Sequence, residues 1–144
     1  MGQQTAFFRS KTRKNKTGEV SVIRHKNGFR TLSVTGKVKI PSFFSNYPKV
    51  LHSTITEVGS LLLGLFPFLA QGKDKRICTF SLPETTVRRN AHINLTYDFL
   101  YTISGVDIPT ETILQTLLTR NEVIGEFILD KLGKEMEDVC LDGG

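Results

Sequence analysis

The chain has 144 residues, 39% of them hydrophobic and 23% charged, with a formal net charge of +5. That length suits one domain with one buried core, and the composition excludes a disordered or collagen-like chain. The longest apolar run, residues 61–70, is broken by Gly64 and Pro67, so it falls short of the about 20 apolar residues a spanning helix needs.

The charge is unevenly placed. Residues 1–30 hold eight basic residues against Glu19 alone, whereas residues 107–144 hold three basic against nine acidic. A chain polarised in this way can meet an anionic surface with one end, or other copies of itself head to tail. Residues 1–16 contain no apolar stretch of the length a secretory signal requires, which predicts a reducing compartment and free thiols at Cys78 and Cys140.

Residues 1–18 are polar, basic and aperiodic, which predicts a flexible arm. Within it, Gly2 becomes the N-terminus once Met1 is removed, in a loose match to an N-myristoylation start. The polybasic cluster Arg9, Lys11, Arg13, Lys14 and Lys16 follows. One acyl chain anchors a protein only marginally, and a basic cluster supplies the second signal, each cation adding about 1 kcal/mol near an anionic leaflet. An anionic membrane is therefore the expected partner of the arm. Nucleic acid is its rival, since the same cations would bind phosphates without sequence choice.

A single α+β domain is expected over residues 19–133: a small, mainly antiparallel sheet packed with about three helices. Glu19–Arg24 alternates, Asn27-Gly28 is a turn signal, and Leu32, Val34, Val38 and Ile40 share one parity, so a hairpin is expected. Asn46 and Pro48 then open a helix carrying Val50, Leu51, Ile55 and Val58, with Gly59 as its stop. Tyr47, Pro48 and Leu51 resemble a YPxL-type budding peptide, although a proline at a helix start and a leucine on its apolar stripe account for the same residues.

Leu61, Leu62, Leu63, Leu65, Phe66 and Phe68 follow as either a buried helix or an apolar contact surface for self-association. Ile77–Leu82 reads as a short strand. Ile93, Leu95, Tyr97, Phe99, Tyr101 and Ile103, at period two, form the clearest strand in the chain. Pro109 opens a helix with Ile113, Leu114, Leu117 and Leu118. Asn121 is read as the cap of a further helix that Gly133 ends, leaving residues 134–144 as an acidic tail.

Nothing points to catalysis. His25, His52 and His92 are scattered, the two cysteines lack metal-site spacing, and no phosphate loop, nucleophile elbow or paired-carboxylate motif occurs. The chain is therefore read as a non-enzyme with no cofactor and no metal.

The order of these pieces is similar to that in rhabdovirus matrix proteins, especially those of the plant-infecting members. A basic arm precedes the strand Leu32–Ile40, then a helix entered through Ser45-Asn46-Tyr47-Pro48, an apolar segment ending near Phe68-Leu69, the strand Ile93–Ile103 and a closing helix. The likeness spans roughly residues 30–130 and is one of pattern. It implies a structural protein that lines the cytoplasmic face of host membranes and the inner face of the virion envelope, self-associates and contacts the viral nucleocapsid during assembly and budding. It would place membrane contact at Arg9–Lys16 and self-association at residues 61–69. No PPxY motif is present, and the Gly2 start points equally to retroviral matrix proteins, which are all-helical and lack a strand like 93–103. A nucleic-acid-binding viral accessory protein (a silencing suppressor or movement factor) and a cellular lipidated adaptor are the alternatives.

Overall fold

Alternation of apolar and polar side chains along successive strands builds the sheet, as period two requires when one face is covered. A computed structural model describes residues 3–9, 15–26, 28–64, 75–83, 92–103 and 108–142. The strands are β1 (Gln3–Arg9), β2 (Asn15–Arg24), β3 (Arg30–Pro41), β4 (Lys75–Ser81) and β5 (His92–Ile103). They form one five-stranded antiparallel sheet in the order β1-β2-β3-β5-β4. Two helices, α1 (Pro48–Gly64) and α2 (Thr110–Asp142), cover one face, α1 toward β4 and α2 across β1, β2 and β3. The protein is α+β, as its patterning predicts.

The core lies between these layers. Leu32, Val34, Val38 and Ile40 of β3 and Leu95, Tyr97, Phe99, Tyr101 and Ile103 of β5 are all essentially buried. The helices answer with Leu51, Ile55, Val58 and Leu62 from α1 and Ile113, Leu117, Ile124, Ile128 and Leu132 from α2. Each fully buried side chain of this size contributes about 1.5–3 kcal/mol. The expected hairpin is present: β2 and β3 pair from Val20↔Val34 to Arg24↔Arg30, and Gly28 takes φ +85° in the turn.

Four boundaries differ from expectation. The segment read as a flexible arm over 1–18 instead supplies the edge strand β1 and the start of β2, registered from Gln3↔Ile23 to Arg9↔Thr17. Ladder pairing is made by backbone groups and needs no apolar run, so composition could not reveal it. Gly59 does not stop α1. It is the point where the helix presses on the sheet: a Cβ there would lie 2.5 Å from Cys78 Sγ and 3.1 Å from the Phe99 ring, and the Gly59 carbonyl accepts a 2.9 Å hydrogen bond from the Tyr101 hydroxyl.

The remaining two differences concern α2. Asn121 caps no new helix but lies inside one continuous helix, so among the described residues two α-helices stand where about three were expected. Gly133 does not end it either, and the residues read as an acidic tail continue the helix to Asp142. An exposed helical glycine costs only about 1 kcal/mol, which the helix-favouring Lys134, Glu135, Met136 and Glu137 offset.

The Gly59 contact carries a prediction. Gly59→Ala destabilises the protein by about 1–3 kcal/mol through overpacking, measured as the shift in urea midpoint. Adding Cys78→Ala, which removes the sulfur the new methyl meets, recovers part of that loss.

Candidate anionic-surface interface and helix groove

The face of the sheet turned away from the helices carries the opposite parity of every strand. Thr31, Ser33, Thr35, Lys37 and Lys39 of β3 lie beside Thr102, Leu100, Asp98, Thr96 and Asn94 of β5. Among the described residues both helices pack on the other face, so this one is open. It is rich in hydroxyls; Lys75 stands beside Thr102 at one end, and Lys37 and Lys39 stand at the other. There the register aligns Arg9, Thr17, Lys37, Thr96 and Ser81 in a row, with Lys39↔Asn94 and Pro41↔His92 beyond it. Lys37, Lys39, His92 and Asn94 are exposed. The neighbouring row holds the acidic Glu19 and Asp98, and the terminal rows hold none.

The predicted basic cluster maps onto this end in part. Arg9 closes β1, and Lys16 sits at a register shift between Asn15 and Thr17, opposite Lys37 and Val38. Gly2, Lys11, Arg13 and Lys14 lie outside the described residues. The structure thus joins Arg9 and Lys16 to two residues that the sequence reading did not single out, Lys37 and Lys39. Their signal was present: both occupy the outward parity of a strand whose other parity is Val38 and Ile40.

The acidic residues lie on the other side of the molecule. Glu122, Glu126, Asp130 and Glu137 are exposed and recur at spacings of four, four and seven along α2. That spacing keeps them on one outward face of the helix. These exposed carboxylates thus lie on the opposite side of the molecule from Lys37 and Lys39. Among the described residues the only ion pair joins Lys131 Nζ to Glu57 Oε1 at 2.6 Å, across the two helices. It is solvent-accessible and of the kind usually worth under about 1 kcal/mol.

The second feature is a groove of about 150 Å³ between α1 and α2, lined by Val58, Leu61, Leu62, Arg120, Ile124 and Phe127. Leu61 is 49% exposed and Phe127 41% exposed at its rim, whereas Leu62 is buried. Of the predicted contact run, Leu61 and Leu62 line the groove and Leu63 belongs to α1, while Leu65, Phe66 and Phe68 lie outside the described residues.

The budding-peptide reading of Tyr47, Pro48 and Leu51 is corrected. Pro48 is the first residue of α1 and Leu51 is 1% exposed in the core. The Tyr47 ring packs 4.8 Å from that of Phe43, and its carbonyl accepts the Leu51 N–H at 3.1 Å. A peptide wound into a helix with its leucine buried cannot be presented as an extended ligand.

Among the described residues no group of three or more His, Cys, Asp or Glu is placed to hold a metal ion, and no helix is long and apolar enough to cross a membrane. Comparison with family models, with curated proteins and with solved structures finds no match to this chain.

Proposed function

We propose that this chain is a viral matrix-like structural protein. In this reading the basic end of the sheet, from Arg9 and Lys16 to Lys37 and Lys39, attaches it to the anionic cytoplasmic face of a host membrane. The rest of the domain supplies self-association and contacts to the nucleocapsid during assembly and budding, leaving the protein beneath the virion envelope. The observation that carries the reading is the opposition of charge: exposed lysines on an open sheet face and exposed carboxylates on the helix layer. Such a molecule lands on an anionic bilayer in one orientation and turns its acidic side away. The apolar groove with Leu61 at its rim adds a surface for lateral contact.

The test is flotation on lipid vesicles. The protein is expected to float with vesicles containing phosphatidylserine, to stay behind with phosphatidylcholine alone, and to be released by about 1 M salt, where screening acts within about 3 Å. Indifference to phosphatidylserine, combined with tight binding to single-stranded RNA, would replace the matrix reading with that of a nucleic-acid-binding accessory protein.

A further inference from the structure

The basic end of the sheet and the acidic face of α2 sit on opposite sides of one chain, and neither is satisfied within it. Lys37, Lys39, Glu122, Glu126 and Asp130 are all exposed, and among the described residues none forms an ion pair. Unpaired charge is ordinary on a surface when the signs are mixed. Here Lys37 and Lys39 stand together at one end of the sheet and Glu122, Glu126 and Asp130 along one helix face, and the two patches match in spacing. Lys37 and Lys39, two residues apart on a strand, are about 6.6–6.8 Å apart along it. Glu126 and Asp130, four residues apart on a helix, are about 6 Å apart along its axis. The short hydroxyl side chains beside the lysines, Thr35 and Thr96, leave a sheet surface onto which a helix can settle.

We infer that the open sheet face docks the acidic face of α2 from a second copy of this chain. The inference rests on the reading of the sheet's basic end as an anion-binding surface and names a further partner for it. The occupant is a second copy because the chain itself carries the complementary patch, at matching spacing and on its far side. The contact is heterologous, since the patch that binds differs from the patch that is bound. After one docking, each end of the pair still shows a free patch of its own sign, so association continues into open stacks and does not close at a dimer. On a membrane the consequence is directional: a first layer attached through its sheet turns acidic helices outward, and these receive the sheet of the next layer.

Lipid-free, nuclease-treated protein tests this by sedimentation equilibrium. At low salt, about 0.02 M, where screening is weak, the weight-average mass is expected to climb above the monomer value of 16.2 kDa as concentration rises. It should return to the monomer near 1 M salt. Lys37→Glu/Lys39→Glu in one protein, and Glu126→Lys/Asp130→Lys in another, should each weaken association about tenfold or more. An equimolar mixture of the two is expected to regain it, because the reversed sheet of one meets the reversed helix of the other and the unreversed pair also matches. Should a charge-reversed protein lose thermal stability, Lys37→Gln/Lys39→Gln or Glu126→Gln/Asp130→Gln replaces it, with a partial loss expected.

A wild-type protein that stays monomeric at low salt, variants that associate as the wild type does, or a mixture that fails to recover would each overturn the inference. Association that disappears on nuclease treatment would do the same by identifying a bridging polymer. No lipid is present, so a failure here leaves the membrane reading standing. A failure of flotation likewise leaves association in solution intact.

Discussion

Replacing Asn121 with leucine is expected to lower stability by about 3–4 kcal/mol, although the two side chains are close in size. Asn121 is fully buried on the inner face of α2. Its Oδ1 accepts a short hydrogen bond from the Tyr97 hydroxyl, and its Nδ2 donates to the Thr35 carbonyl at 2.9 Å and, at the limit of reach, to the Glu19 carbonyl at 3.5 Å. One side chain thus ties the helix to β2, β3 and β5. Leucine would fill the space and serve none of these groups, and each buried polar group deprived of its partner costs about 1–3 kcal/mol. A drop of this size is a large share of the 5–15 kcal/mol typical of a whole domain. Chemical denaturation reads the loss directly. Adding Tyr97→Phe to Asn121→Leu removes the stranded hydroxyl, so the double variant is expected to be less destabilised than the two single losses added together. Strict additivity would show that the hydroxyl and the amide do not act as a pair.

Gly36→Val is expected to cost about 3 kcal/mol or to prevent folding. Gly36 pairs with Tyr97 across β3 and β5, and the Tyr97 ring lies over the glycine, so that an added Cβ would fall on its hydroxyl and the ring carbon bearing it. The ring cannot swing aside, because its hydroxyl is held by Asn121 and its side chain is fully buried. The register extends the pattern, with Gly18 opposite Gly36 and Phe80 opposite Tyr97. β3 here gives up a side chain to seat one aromatic ring. In a Tyr97→Leu background the valine has room, and its additional cost should fall to under about 1 kcal/mol by urea denaturation. An undiminished cost would mean that the glycine serves the strand for some other reason.

These two sites mark where the sequence was legible and where it was not. The strand Ile93–Ile103 could be read from parity alone, because burial on one face imposes an alternation that nothing else produces over so many residues. Asn121 resembles a helix cap, as a polar residue between apolar turns usually does. Its spacing from Leu117 and Ile124 in fact places it on the buried stripe, and only the fold reveals the tyrosine and carbonyls it faces. Gly36 takes the inward parity of β3 between Val34 and Val38, but the residue that approaches it lies 61 positions later, beyond the reach of any local pattern. Glycine often stops a helix, but Gly59 and Gly133 do not. The first is demanded by contact with the sheet and the second is tolerated on an exposed face.

The candidate site divides in the same way. The basic cluster was visible as composition, but the strand that precedes it was hidden, because backbone pairing leaves no side-chain signature. The cluster consequently read as a free arm, and its neighbours Lys37 and Lys39 were missed. Cross-strand register, which no local pattern encodes, brings them together.

The central claim is that the basic end of the open sheet is what meets an anionic membrane. Flotation on phosphatidylserine vesicles, comparing Lys37→Glu/Lys39→Glu with Glu126→Lys/Asp130→Lys, tests it most directly. Each Lys-to-Glu change removes an attraction of about 1 kcal/mol and adds a repulsion, so the first protein should lose at least tenfold in vesicle binding. The second, altered on the far side, should bind at least as well as the wild type. Equal flotation of the first protein and the wild type would contradict the account.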